Sequence, residues 1–306
     1  MAIIDEMNAV SSKHFDPGIP QQIYDSSVFF KTLKEKKKIK TDGGTSLQFA
    51  IRKDKLGNAR LTGARNQVNF ASKETRGAAD LDWAYYDSFT MCHWDEKVMN
   101  AGKAKLIDLM QDKATEMVED FDDYLAFVLF GTDTSGFAPL TQIVDSSDSY
   151  GGISPSNVAS WAAQEDSSTD ILTISALDYL RNQATFGKNG PTMHITTRDL
   201  YSKYERLVEP KDRIMDKKTA GIGFENVLYH MAPVVGDSHC GEGDWFGLDM
   251  EHFELRVNQE PKPGKWFSLE QAGFPNAQAK YISAVMNLKC DMRRSNFKFT
   301  ALDYTK

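Results

Sequence analysis

Cysteine is scarce in this chain: 306 residues hold three, Cys92, Cys240 and Cys290. Three scattered thiols cannot form a paired framework, which excludes a small disulfide-stapled scaffold and points to reduced thiols in a cytoplasmic setting. Long apolar runs are missing too, and none approaches the roughly 18 residues a membrane-spanning helix needs. The first residues, MAIIDEMNAVSSKHFD, lack a basic stretch followed by an apolar one, so neither export nor membrane insertion is indicated. Basic excess is absent as well. With 36 Lys and Arg against 43 Asp and Glu the formal charge is -7, whereas a protein that clamps nucleic acid over its whole surface carries positive charge to neutralise phosphates. Any contact with DNA is therefore local. The P-loop, GxSxG and HExxH patterns do not occur.

What is present is a folding chain rich in large contact surfaces. Apolar residues make up 41% of it and charged residues 26%, and there are 18 Phe, 11 Tyr and 5 Trp. That suffices for one or two domains with proper cores and leaves aromatic side chains for interfaces. Pro17 and Pro20 in FDPGIPQQIYD suggest an extended N-terminal arm. Lys31 to Lys40 hold six lysines against one Glu and read as a solvated charged segment, with contact to DNA or an acidic neighbour as the other reading.

After the Asp42-Gly43-Gly44 turn signal, Leu47, Phe49 and Ile51 alternate with polar residues in the two-residue period of a strand. Leu81, Trp83 and Tyr85, then Phe89, Met91 and His93, suggest a return strand pairing with the first. Between them Arg52 to Asp80 hold seven basic and three acidic residues and little to bury. An insertion without its own core is uncommon unless it serves a purpose, and a hairpin whose apolar face and charges are satisfied by another copy supplies one. From Ala101 to Phe130, Leu106, Met110, Ala114, Met117, Phe121, Leu125 and Val128 recur every three or four residues, ahead of Gly131 as a stop. This predicts a helix on the order of 45 Å long, whose other face carries Asp108, Asp112, Glu116, Glu119, Asp120, Asp122 and Asp123, a solvated acidic row. Residues 131–170 read as loop. A helix in ILTISALDYLRNQATF, a buried strand in PTMHITT, a helix in RDLYSKYERLV and short strands in PVVGD and WFGLD follow. A long strand then carries Ile282, Ala284, Met286, Leu288, Cys290 and Met292 on one face, and Phe297 and Phe299 continue the pattern.

The order of arm, hairpin, long helix, glycine-rich loop, mixed region and closing strand resembles the HK97-like major capsid protein family. NAGKAKLIDLM, LFGTDTSGFAPLTQIVD, YGGISPSNVASW, PTMHITTRDLYSKYERL, GIGFENVLYHMAPVVGD and WFGLDMEHFELRV carry the likeness, which covers roughly residues 40 to 302. It implies an α+β fold: an N-terminal arm (1–40), an E-loop hairpin with flanking strands (41–95), a P-domain with a long spine helix (96–150), a mixed α/β A-domain (151–258) and a return to the P-domain (259–306). It also implies hexamers and pentamers in an icosahedral shell around double-stranded DNA, assembled in the host cytoplasm and ending in the virion. The implied partners are further copies, portal and scaffolding proteins, possible decoration proteins, and packaged DNA through non-specific contact. Because the hairpin begins within about forty-five residues of Met1, the separate-scaffold arrangement of the family is expected over the fused one. No lysine and asparagine stand out as a crosslinking pair.

No catalytic, cofactor or metal site is expected. The residues singled out for contact between subunits are Arg52, Lys53, Lys55, Arg60, Arg65 and Arg76 in the hairpin, facing Asp112, Glu116 and Glu119 of a neighbour. Two rival readings are a soluble metal-dependent enzyme using Cys92, His93, Asp237, His239, Cys240 and Asp244, whose spacing is poor for zinc, and a DNA-binding accessory protein using Lys31 to Lys40. Gly241, Gly243 and Gly247 read as turn residues.

Overall fold

The computed structural model describes residues 27–59, 61, 72–93, 95–96, 103–133, 136–168, 171–208, 226–269 and 277–303, with the side chains of the long helix described from Leu109 on. The expected arm before Ser27, together with Arg60, Arg65, Leu106 and Asp108, lies outside the described residues or side chains. The chain forms two compact units, each from three separated stretches: Met1–Gly44, Trp83–Pro139 and Glu254–Leu288 in the first, Thr45–Asp82, Leu140–Phe253 and Lys289–Lys306 in the second.

The first unit opens with α1 (Val28–Glu35), which buries Val28, Phe29, Phe30 and Leu33. The lysine run is thus not simply a solvated segment. Apolar residues just ahead of it supply a helical face, and Lys31 and Lys34 on α1 are half-buried while Lys36, Lys37 and Lys40 are exposed. β1 (Ile39–Thr41) then runs parallel to β10 (Phe253–Pro263), with Ile39 opposite Leu255, and Lys40 pairs with Glu254 at 2.5 Å. The sheet order is β1, β10, β12 (Gln278–Cys290), β11 (Phe267–Ser268). The even positions Ile282, Ala284, Met286 and Leu288 of β12 are buried, as the alternation predicts.

β4 (Ala84–Cys92) pairs antiparallel with β12, from Ala84 opposite Met286 to Cys92 opposite Gln278. This corrects two expectations. The strand does not return along Leu47–Ile51, and its phase is opposite: Ala84, Tyr86 and Cys92 are buried while Tyr85 and Phe89 are exposed. The apolar alternation was real, but the long helix covers the other face of the strand. That helix, α2 (Lys103–Phe130), buries Met110, Ala114, Met117, Phe121 and Leu125 as expected. Tyr86 meets Phe121 edge-on at 6.4 Å, and Lys113 Nζ donates to the Met91 carbonyl at 2.9 Å and to Glu96 at 2.6 Å. Asp122 departs from the solvated acidic row, since it is buried. Beyond the helix, the Asn287 side chain accepts from the Ala138 N–H (3.0 Å) and donates to the Gly136 carbonyl (3.3 Å), tying the following loop to β12.

The second unit is built on a six-stranded mixed sheet in the order β5 (Gln164–Asp166), β13 (Phe297–Phe299), β9 (Trp245–Leu248), β6 (Met193–Thr196), β8 (Ala232–Gly236), β7 (Val227–Tyr229). Phe297 and Phe299 therefore do not prolong the closing strand. A short 3₁₀ turn at Arg293–Ser295 redirects the chain, and β13 inserts between β5 and β9. β6 and β9 are buried at every residue, the signature of strands covered on both faces. Helices α4 (Ile174–Ala184) and α5 (Arg198–Leu207) start on Thr173 and Thr197, whose hydroxyls accept from the N–H groups of Ala176 and Leu200. Leu177, Leu180, Leu200 and Tyr204 share one core with Trp245, Phe297 and Phe299. His194 is buried there and burial lowers its pKa to about 3, leaving a neutral ring that accepts from Trp245 Nε1 at 3.3 Å.

Two buried cations hold the loops of this unit. Residues 131–170 are mostly irregular, apart from short pieces such as α3 (Leu140–Ile143), yet Tyr150 and Trp161 are buried. Arg293, fully buried, donates Nε to the Ile143 carbonyl (2.7 Å), Nη1 to Asp148 (2.9 Å) and Nη2 to Gln142 (2.9 Å) and Asp145 (3.0 Å). Lys298 donates to Asp145 Oδ2 (2.7 Å) and lies 3.1 Å from Glu165. Burial pushes the Asp145 pKa up, but hydrogen bonds from Lys298 and from the N–H groups of Asp148 and Ser147 outweigh it and hold it at about 2. A carboxylate depressed on folding stabilises above its unfolded pKa and loses that contribution as pH falls. We expect stability to drop by about 2 kcal/mol between pH 4 and pH 2 through this group. Urea denaturation at stepped pH checks it, and Asp145→Asn should flatten that part of the profile.

Candidate assembly surface

The hairpin strands are β2 (Leu47–Arg52) and β3 (Arg76–Leu81), paired antiparallel from Leu47 opposite Leu81 to Arg52 opposite Arg76. One face carries Leu47, Phe49 and Ile51, all buried, with Ala79 opposite Phe49. Phe49 meets Tyr150 at 6.4 Å, Lys289 Nζ sits 5.2 Å from the Phe49 ring, and the Asp80 N–H donates to the Gly151 carbonyl at 3.1 Å. The apolar face of the hairpin base is therefore covered by its own chain and does not wait for another copy. The reason lies in the loop after α3: Tyr150 stacks on Trp161 at 6.0 Å, Arg293 lies 5.7 Å from the Tyr150 ring, and this layer offers the face that Phe49 needs.

Gly151 allows the close approach. Its φ is +61°, and a Cβ there would stand 2.7 Å from Ala79 Cβ. Gly151→Val is expected to cost about 2 to 3 kcal/mol by strain and overlap. The check is a lower urea midpoint together with faster proteolysis of the hairpin, and an unchanged midpoint would contradict the packing.

Beyond Lys53 the described residues 54–59 and 61 are exposed. The Lys53 N–H bonds to the Thr75 carbonyl at 2.9 Å, Ser160 donates its hydroxyl to the Lys53 carbonyl, and Lys73 pairs with Asp54 at 2.5 Å on the surface. Leu56 is 50% exposed and Leu61 fully so. Of the singled-out bases, Arg52, Lys55 and Arg76 are exposed and Lys53 is half-buried. Arg52 and Arg76 are register partners, so two like charges stand across the ladder from each other, an arrangement that costs energy until an anion meets it. An open cavity of about 840 Å³ lies beside them, lined by Arg52, Lys55, Phe186, His252, Asp291 and Arg294. Lys55 Nζ is 5.0 Å and Arg294 Cζ 4.8 Å from the Phe186 ring, while His252 and Asp291 share a 2.6 Å hydrogen bond. Phe186 and Arg294 escaped the sequence reading, because nothing local in QATFG or MRRSN marks a neighbour so far along the chain. Asp112, Glu116 and Glu119 are exposed on α2, in the first unit.

The rival metal residues do not converge. Cys92 is buried and His93 exposed, on opposite faces, and His239 donates its backbone N–H to Asp237 Oδ1 at 3.0 Å in a turn. Burial, then the nearby Asp244 and Asp237, push the Cys240 thiol well up, which keeps it protonated and a poor ligand. Burial also lifts Asp244 to about 6, against the pull of Lys298. Among the described residues no three His, Cys, Asp or Glu side chains are grouped so as to hold a metal ion, and no described helix is long and apolar enough to cross a membrane.

No family model and no curated protein matches the chain. Solved structures do. The cyanophage A-1(L) capsid asymmetric unit superposes with a TM-score of 0.66 at 13% identity, covering 94% of both chains. This is the fold of a phage capsid chain. The same fold relates it to the capsid of a native GTA particle (TM-score 0.60, 10% identity, 88% of this chain and 89% of that one). It also relates it to the holo-SrpI encapsulin complex from Synechococcus elongatus PCC 7942 (TM-score 0.57, 8% identity, 92% and 90%).

Proposed function

We propose that the chain is the major capsid protein of a tailed bacteriophage, with the HK97-like arrangement. It assembles into hexamers and pentamers of an icosahedral shell that encloses double-stranded DNA, with scaffolding and portal proteins as assembly partners. The observation that supports this most is coverage: a phage capsid chain is matched over 94% of both lengths, not over one unit. In this reading residues 41–95 supply the E-loop, 96–150 and the return from 259 the P-domain, and 151–258 the A-domain. The hairpin bases Arg52, Lys53, Lys55, Arg60, Arg65 and Arg76 meet Asp112, Glu116 and Glu119 of a neighbour, each contact weak but joined with many others by closure of the shell. The shell forms in the host cytoplasm and the protein ends in the virion.

Electron microscopy of the overexpressed chain, alone and with its neighbouring genes, tests the proposal. Closed particles of uniform diameter are expected; a monomer under every condition would refute it. A shell of the encapsulin kind is the second reading, supported by the encapsulin match. It predicts particles that form without a scaffolding protein and hold protein rather than DNA, so the content of particles from the native source separates the two.

A further inference from the structure

The 840 Å³ cavity beside the hairpin base lies wholly within the second unit, and separated stretches of that unit build its wall. The chain as a whole carries a formal charge of -7, yet this wall is positive. Arg52, Lys53, Lys55 and Arg294 line it, and among the described residues none of the four has a carboxylate within ion-pair distance. The two acids beside them already have partners: Asp54 pairs with Lys73 at 2.5 Å and Asp291 with His252 at 2.6 Å. In an acidic protein that local surplus sets a positive field, and a concave wall concentrates it. The cations are also held in place. Lys55 Nζ stands 5.0 Å and Arg294 Cζ 4.8 Å from the ring of Phe186, so one ring gathers two like charges from distant parts of the chain against their mutual repulsion. The ring itself is fixed by a tight turn. Phe186 and Asn189 exchange backbone hydrogen bonds at 2.7 and 3.1 Å, Gly187 between them has φ +67°, and Asn189 Nδ2 reaches Met292 Sδ at 3.1 Å, two residues from Arg294. On the hairpin side the half-buried Lys53 runs its stem past Gly77, where a Cβ would displace it.

We propose that this cavity binds a compact oligophosphate, either inorganic polyphosphate or the phosphate tail of a nucleotide. Phosphate oxygens accept in pairs from a guanidinium and singly from an ammonium group, and adjacent phosphates bring negative charge at the density that relieves the repulsion between Lys55 and Arg294. Phe186 is a positioning residue, because it touches the cations and not the phosphates. A concave wall suits a small ligand, whereas a DNA duplex needs a long basic track to follow its evenly spaced phosphates. Here Asp54 and Asp291 are exposed beside the cations and repel a strand that runs past. The site belongs to the unassembled subunit and does not rest on the shell reading, in which the same hairpin bases turn to a neighbour's carboxylates.

The test is calorimetric titration of dilute, unassembled full-chain subunit with sodium tripolyphosphate at fixed ionic strength. Saturable binding at one site is expected, weakened about tenfold by Arg294→Gln and by Lys55→Gln, with the melting temperature of the free subunit unchanged. Lys262→Gln removes the same charge from an exposed place in the first unit and should leave binding as it was. Phe186→Leu keeps apolar bulk but not the ring, so it should weaken binding about threefold, and Phe186→Tyr should restore it, a rescue that packing alone does not give. Adenosine triphosphate and adenosine identify the source. Triphosphate binding no tighter than tripolyphosphate means that the phosphates alone are read, and binding about tenfold tighter assigns the nucleotide; both sustain the proposal. No saturable binding, an equal loss in Lys262→Gln, indifference to Arg294→Gln and Lys55→Gln, adenosine binding as tightly as its triphosphate, or tighter binding of a short DNA duplex at equal phosphate concentration would each overturn it. Particles scored separately by microscopy keep this site apart from the shell reading: oligophosphate binding without particles removes the shell alone, and particles without binding remove this site alone.

Discussion

Replacing Arg293 by methionine is expected to lower the stability of the subunit by about 4 kcal/mol. Methionine has nearly the length of the arginine stem, so little volume is lost, but four carbonyls, those of Gln142, Ile143, Asp145 and Asp148, lose their donors in a buried place. Each orphaned acceptor costs on the order of 1 kcal/mol or more, and the stacking on Tyr150 and Trp161 goes as well. Because Phe49 rests on Tyr150, the hairpin base should loosen with the loop. Arg293→Lys keeps the charge but not the planar fork that reaches several acceptors at once, so it should recover only a minor part. Urea midpoints of the three proteins decide the matter. A loss under about 1 kcal/mol in Arg293→Met would show that the four hydrogen bonds are not what holds this loop.

Removing residues 55–75 is expected to abolish particles while leaving the subunit folded. The deletion joins Asp54 to Arg76 and leaves Lys53-Asp54 to connect Arg52 with Arg76, which are already register partners. Two-residue connections suit such ladders, and the buried side chains Leu47, Phe49 and Ile51 are untouched. Among the described residues that are lost, Lys55, Leu56 and Leu61 are exposed. Under the shell reading that chain is where one subunit grips the next, so the yield of particles should fall to background with little change in melting temperature. Particles of normal size from the deletion would contradict the assignment of the tip to assembly, and an unfolded product would show that the tip supports its own subunit.

Legibility followed the length and isolation of the signals. The long helix and β12 were plain because their periodicities run over many residues with a covered and an open face. The helices at Ile174 and Arg198 were readable for the same reason. Harder was the partner of Leu47–Ile51. The sequence RGAADL has small residues and no apolar alternation, since Ala79 and Gly77 need only fill the space under Phe49 and Ile51, while the louder pattern at Tyr85 and Phe89 belongs to an exposed face. Six lysines hid α1, whose anchoring residues Val28, Phe29 and Phe30 come before them. At the candidate surface the basic hairpin was visible as composition, whereas Phe186, His252 and Arg294 come to it from distant parts of the chain, and Tyr150, inside a glycine-rich loop, looked like solvent-exposed text.

The threading of the two units has a consequence for synthesis. Each requires a stretch that is made after the others, Glu254–Leu288 for one and Lys289–Lys306 for the other, and β13, which sits between β5 and β9, is translated after both of them. Neither unit can therefore close before the stretch from Glu254 onward has been translated. Nascent chains wait with their cores open, so folding is a single late event with high contact order rather than a domain-by-domain one. A ribosome that stalls or terminates early releases a chain in which both halves are unfinished, and such fragments cannot be half-competent.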